Sequence, residues 1–163
     1  MITKSNFIVG HGCQRCFWFK YKGYEDLDLN DEQAQQRLKD GEEVGDQVKE
    51  TFPKGVEIPF LGRDYDEMHR LTLQAIDDGS KVIFEGSFLV DGVFIRVDIM
   101  EKSSNGWNIY EVKSSSKPKP IHKEDASIQW YVLNQVEQIN LKGMYLITLN
   151  KEYHRDKELD LEG

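Results

Sequence analysis

No apolar run in the sequence approaches the roughly 18 residues a membrane-spanning helix needs. The opening stretch, MITKSNFIVGHG, has no extended apolar core of the kind a secretory signal carries. Cysteine is scarce: Cys13 and Cys16 are the two in the chain, too few for a disulfide framework. Positive charge is outweighed, with 21 Lys and Arg against 29 Asp and Glu and a formal net charge of −8. Sequence-independent nucleic-acid binders are usually basic, so any phosphate recognition here must come from a local positive patch or a metal. Repeats and low-complexity tracts are also missing. These absences exclude a membrane protein, a collagen, a coiled coil and a disulfide scaffold, and make the cytoplasm the expected compartment.

What is present suits a packed domain. The 163 residues are 39% hydrophobic, 11% aromatic and 31% charged, enough apolar material for a core beneath a wet surface. We expect a helical arm over residues 1–60 packed on a core over 61–163. Within the arm, Cys16-Phe17-Trp18-Phe19-Lys20-Tyr21 is an aromatic cluster suited to anchoring it. Asn30 and Asp31 can cap a helix through Lys39, with Gly41 as its stop, and Glu42 to Phe52 resumes helically until Pro53 and Gly55. Val56 to Ile58 reads as a short strand. Asp64 or Asp66 opens a helix with Met68, Leu71 and Ala75 on one stripe, ending near Asp78-Gly79.

The middle of the chain is richest in signal. Val82 to Val90 and Val93 to Met100 are strand-like runs on either side of Asp91-Gly92, a strong hairpin dipeptide. Ser103-Ser104-Asn105-Gly106 makes the next turn and Trp107 to Lys113 a third strand. A polar loop from Ser114 to Pro120 precedes a helix from His122 to Gln138, with Ile128, Val132, Val136 and Ile139 on one stripe. Met144 to Leu149 is an unbroken apolar run, predicting a buried strand flanked by helices. The fold class is therefore α/β (α+β), in the order α-β-β-β-α-β with a mixed sheet.

Hairpin register gathers a set of charges. A two-residue turn at Asp91-Gly92 sets Glu85 opposite Asp98. A four-residue turn over 103–106 sets Asp98 opposite Glu111, whereas a two-residue turn at Asn105-Gly106 sets it opposite Lys113. Residues 111 and 113 share a face because side chains alternate with period two. Either register thus collects Glu85, Asp98, Glu111 and Lys113 on one side of three strands, amid apolar neighbours. Facing carboxylates repel, and more so when buried, unless a positive charge offsets them. Lys113 supplies one such charge, and a hard divalent cation such as Mg²⁺ or Mn²⁺ would supply more. An ordinary solvated sheet face with routine salt bridges is the alternative for any single acid.

Val97-Asp98, twelve residues, then Glu111-Val112-Lys113 resembles the signature of the PD-(D/E)XK nucleases, with Val97 in place of the proline. The element order over Asp64 to Leu149 is similar to the restriction-endonuclease-like core of that superfamily. Ser127-Ile128-Gln129-Trp130-Tyr131 is similar to the glutamine- and tyrosine-bearing helix of its RecB-like branch, which includes CRISPR-associated adaptation nucleases and phage-type exonucleases. The resemblance implies that Asp98, Glu111 and the carbonyl of Val112 hold Mg²⁺ or Mn²⁺, with Glu85 as a further carboxylate. It implies that Lys113 assists the nucleophile and that Gln129 orients the site or contacts the nucleic-acid backbone. The implied reaction is hydrolysis of phosphodiester bonds in DNA, with RNA also open, as are exo- and endonucleolytic action. Relatives of this kind are often longer, so the chain can be the N-terminal part of a larger protein with further domains or protein partners. Two departures stand out: Gly45-Asp46-Gln47-Val48 has valine where a Gly-x-x-His pattern has histidine, and no cysteine follows Cys16 to complete a four-thiolate iron–sulfur site.

Lys117, Lys119 and Lys123 make the best local basic patch, directly after Lys113, where substrate phosphate would arrive; Tyr131 is a further candidate contact. Arg15, Lys20 and Lys22 form a second basic stripe with Trp18 or Phe17 beside it. Cys13-x-x-Cys16 is half a zinc site with His11 as a possible third ligand, but no second pair follows; we expect buried or half-buried small residues, and no βαβ context favours a redox role. Two readings of different class remain: a metal-dependent nuclease-type domain, or a catalytically silent module of the same fold that binds DNA or a protein.

Overall fold

The two apolar runs flanking Asp91-Gly92 fold, in the computed structural model, into an antiparallel hairpin of β3 (Val82–Val90) and β4 (Val93–Ser103). Asp91 (φ 49°) and Gly92 (φ 75°) both adopt the left-handed backbone that a tight hairpin turn with right-handed strand twist demands. The structure describes residues 1–23 and 32–152, apart from the side chains of residues 32–34 and 37. β5 (Gly106–Lys113) extends the meander with Lys102 opposite Trp107, the register of the four-residue turn. Trp107, Ile109, Ile95, Phe88 and Met100 are fully buried. At about 25 cal/mol per Å² of apolar surface, such side chains supply the bulk of the driving force for this sheet.

Helices cover the meander at either end of its sequence. α4 (Tyr65–Asp77) begins at Asp64, whose carboxylate accepts the N–H of Glu67 at 3.2 Å, and buries Met68, Thr72, Ala75 and Ile76. α5 (Pro120–Leu133) starts with Pro120 at its first position, where a missing N–H costs nothing. β6 (Leu141–Thr148) then pairs in parallel with β5. The order α-β-β-β-α-β is thus realised over Tyr65–Thr148. The sheet is mixed and has six strands, in the order β2-β3-β4-β5-β6 with β1 attached to β4, so the fold is α+β.

The residues ahead of this unit do more than form a helical arm. β1 (Ile2–Thr3) pairs in parallel with Val93 and Phe94, and β2 (Val56–Glu57) pairs in parallel with Ile83 and Phe84. Between them lie α1 (Lys4–Gly12), α2 (Gln14–Tyr21) and α3 (Glu32–Glu50). The aromatic cluster does not serve as the anchor, since Trp18, Phe19 and Tyr21 are 40–50% exposed; Phe7 of α1 packs on the core instead.

Three further expectations are corrected. Gly41 does not stop a helix: α3 runs through Gly41 and Gly45, its continuation rewarded by Val48, which packs with Phe52 just beyond α3 on Val82, Phe84 and Ile99. The expected cap at Asn30 and Asp31 lies outside the described residues. β6 is not buried, because it is the outermost strand of the sheet; Tyr145 is 49% exposed. α5 ends at Leu133, and Val136 and Ile139 reach the core from the following turns rather than from a helical stripe. No helix among the described residues is long and apolar enough to cross a membrane.

A Cβ placed on Gly41 or Gly45 would meet nothing within 4 Å. Glycine inside a helix costs about 0.5–1 kcal/mol relative to alanine. Gly45→Ala and Gly41→Ala should each raise unfolding free energy by about that amount in urea titrations, and a loss of stability would show that α3 is not continuous here.

Candidate functional site

β4 pairs along one edge with β3 from Val93 to Val97 and from Ile99 to Glu101, the register skipping Asp98 and Glu85. Its other edge is shared: β1 takes Val93 and Phe94, and β5 takes Ile99 to Ser103, with residues 95–98 between them. The candidate site occupies this interval. Asp98 lies where the β4–β5 ladder has ended, and its Oδ2 accepts the N–H of Val112 at 2.7 Å. Because β1 runs parallel to β4 and ends at Thr3, the next residue, Lys4, is delivered into the same interval. Its position is fixed twice more, by the Ile2 N–H on the Gly92 carbonyl at 2.8 Å and by Thr3 Oγ1 capping Asn6 at 3.2 Å.

Glu111 is 2% exposed and fully engaged. Its Oε1 accepts from Lys113 Nζ at 2.6 Å and Lys4 Nζ at 3.1 Å, and its Oε2 accepts from Gln129 Nε2 at 2.7 Å. Asp125 of α5 completes the cluster: Lys113 Nζ donates to its Oδ2 at 2.7 Å and Gln129 Nε2 to its Oδ1 at 3.0 Å, with Lys4 Nζ 3.4 Å away. Two carboxylates thus share two ammonium groups and one carboxamide, with Asp98 beside them on the Val112 N–H. Asp98, Glu111, Val112 and Lys113 open on a cavity of about 630 Å³ whose opposite wall is α3, through Gly41, Gly45 and Lys49 among others.

The electrostatics follow from burial and crowding. Burial, then the nearby charge of Glu111, pushes the Asp98 carboxyl up to about 7, against the pull of Lys4, the Val112 N–H and Lys113. Asp125 moves the other way: burial opposes its charge, but Lys4 and Lys113 overcome it and hold the carboxyl far below the ordinary range. Burial also works against the Lys113 and Lys4 ammoniums, yet Glu111 and Asp125 outweigh it and raise both.

Of the residues singled out in the sequence, Asp98, Glu111, Lys113 and Gln129 come together, and the Asp98–Glu111 register is the one adopted. Gln129 is fully buried and donates to both Glu111 and Asp125; among the described residues its Oε1 has no partner. Glu85 lines the cavity but turns away. Its backbone is left-handed (φ 59°), and its carboxylate accepts from Arg96 Nε at 2.8 Å and pairs with Lys49 Nζ at 3.2 Å. Lys117, Lys119 and Lys123 are exposed on the loop and first turn beyond Lys113, outside the cavity lining. Tyr131 is 56% exposed and does not join the cluster. Lys4 and Asp125 escape the sequence reading. Asp125 stands four residues before Gln129, a same-face helical spacing that could have drawn notice; Lys4 has no spacing signal at all.

Among the described residues, no group of three or more His, Cys, Asp or Glu side chains is arranged to hold a metal ion. With Glu85 committed elsewhere, a cation would meet two carboxylates, Asp98 and Glu111, and the Val112 carbonyl. That oxygen set has the hardness Mg²⁺ and Mn²⁺ select. The residues fit such an ion by donor chemistry. Comparison with protein-family models, curated proteins and solved structures finds no match for this chain.

A carboxyl raised from about 3.9 to about 7 binds its proton more tightly folded than unfolded, so its contribution to stability falls as pH rises through that window. Asp98→Asn should therefore melt higher than the parent at pH 8, by an amount on the order of a few kcal/mol, with the gap closing by pH 4. Parallel melting curves across pH, without added metal, check this; a constant gap would refute the raised carboxyl.

Proposed function

We propose that this chain is a metal-dependent nuclease-type domain that hydrolyses phosphodiester bonds in DNA. The observation that carries the reading is the pairing of Asp98 and Glu111 on adjacent strands, with Lys113 beside them, at a cavity open to solvent. The element order α-β-β-β-α-β and the position of these residues within it support a restriction-endonuclease-like core, as in the RecB-like branch the sequence resembles.

A bound Mg²⁺ or Mn²⁺ would supply charge stabilisation at the phosphate and an acidified water. Asp98, Glu111 and the Val112 carbonyl are the groups that would hold it. The remaining work falls to the chain's own residues. Lys113 is held between Glu111 and Asp125, which keeps it charged and aimed at the cavity, where its ammonium can orient a water or meet developing charge on a phosphate oxygen. Gln129 and Asp125 fix Glu111 and Lys113 in place. Lys4 adds a second ammonium on the same side. Lys117, Lys119 and Lys123 offer a basic approach for the sugar–phosphate backbone, a local patch on a chain whose net charge is −8.

A second reading rests on Glu111, whose oxygens are already saturated by Lys4, Lys113 and Gln129. A cluster so balanced suits a catalytically silent module of the same fold that binds DNA or a protein. Incubation of the chain with linear and closed circular DNA in Mn²⁺ separates the readings. We expect metal-dependent degradation, lost in Asp98→Ala and reduced at least ~100-fold in Lys113→Ala; attack on circles would mark endonuclease action. Binding without turnover in Mg²⁺ and Mn²⁺ would establish the silent module instead. Asp125→Asn loosens Lys113 without removing it, and should lower the rate by about 10- to 100-fold while leaving Mn²⁺ affinity, read by paramagnetic resonance, nearly unchanged.

A further inference from the structure

Cys13 and Cys16 are not the buried small residues the sequence suggested. Both are exposed, and neither is in a disulfide. Cys13 joins two helices: its N–H closes α1 on the Val9 carbonyl at 2.8 Å, and its extended backbone (φ −157°, ψ 103°) makes it the N-cap of α2. Its Sγ accepts the N–H of Cys16 at 3.2 Å. The cysteines therefore hold the N-cap and third positions of one helical turn. That spacing sets both thiols at the protein surface within a single turn, the arrangement in which a Cys-x-x-Cys pair closes a disulfide.

We propose that Cys13 and Cys16 form a redox-active dithiol that cycles between two thiols and an intramolecular disulfide by exchange with small-molecule disulfides of the glutathione class. The Cys13 thiolate attacks one sulfur of the incoming disulfide, forms a mixed disulfide and expels one small thiolate. Cys16, deprotonated, then attacks the Cys13 sulfur, closing the protein disulfide and expelling the second. Two protein thiols are oxidised, one small disulfide is reduced to two thiols, and the two protons go to solvent or to the leaving thiolates.

Cys13 is the attacking sulfur because hydrogen bonds from the Cys16 thiol and backbone, with Arg15 adding its charge, lower its pKa. A helix N-terminus and a Cys-x-x-Cys spacing act in the same direction. Cys16 lies inside the first turn and is placed to resolve. A thiolate metal centre is less well served, since among the described residues no group of three Cys, His or acidic side chains forms, and His11 is paired with Glu124 at 3.0 Å. The dithiol lies apart from the acidic cavity and does not depend on the nuclease reading.

Because the chain has two cysteines, the test is unambiguous. The full chain is equilibrated in buffers of stepped oxidised-to-reduced glutathione ratio, acid-quenched, alkylated and weighed by mass spectrometry. We expect one two-electron transition, with loss of two hydrogens and of both alkylation sites, at the same ratio from either direction. Cys16→Ser should halt at a stable glutathione adduct on Cys13, and Cys13→Ser should react several-fold more slowly. Independent glutathione adducts on both cysteines without an internal disulfide would overturn the proposal. So would equal rates in the two variants, or stoichiometric zinc released from the purified chain on alkylation.

Discussion

A pair of like charges, Glu111 buried and Asp98 half-buried, is the constraint around which the site is arranged. Asp98 and Glu111 lie on neighbouring strands beside the cavity, and their mutual repulsion must be met by something positive. Two lysines meet it from different directions, Lys113 from the same strand as Glu111 and Lys4 from the N-terminal end of the chain. Every other feature of the site follows from holding those cations in position: Asp125 grips both, Gln129 braces the acids from α5, and β1 fixes the backbone that carries Lys4.

The way the sheet is bonded explains why charge can be placed there. A fully paired β4 edge would fill residues 95–98 with backbone partners. Here β5 leaves β4 at Ile99 and β1 has already ended at Phe94, so side chains occupy the interval. The N–H of Val112 is satisfied by a carboxylate, and the strand end beyond it opens toward α3. The two glycines of α3 keep that side unobstructed, at a cost in helix propensity of about 1 kcal/mol each.

Much of this was legible beforehand, for identifiable reasons. Asp91-Gly92 and the four-residue turn ending in Gly106 are local signals, and together they set Asp98 against Glu111. Lys113 follows from period-two alternation, and α4 and its Asp64 cap from side-chain chemistry within one turn. Long-range and compensated features were not legible. Lys4 reaches Glu111 across 107 positions, which no spacing rule anticipates. Gly41 reads as a stop because its local cost is visible while the packing of Val48 on a distant sheet is not. Glu85 is placed opposite Asp98 by the hairpin count yet leaves the ladder and the cluster, with a left-handed backbone and its carboxylate on Arg96 and Lys49. β6 is apolar enough for an interior strand, and only its place at the edge of the sheet exposes it.

The left-handed backbone at Glu85 also reorders the strand that carries it. Before it, Phe84 belongs with Val82 and Ile99 to the apolar cluster under Val48 and Phe52; after it, Phe88 belongs to the main cluster with Ile95 and Val97. Strict alternation would have sent Phe84 and Phe88 to the same side. One continuous strand gives Val82 and Phe84 to the smaller hydrophobic mass and Ile83 and Phe88 to the larger one, so melting of either disturbs a strand the other shares. The smaller mass shares in the cooperativity of the larger one, a single unfolding unit rather than a core with a loose flap.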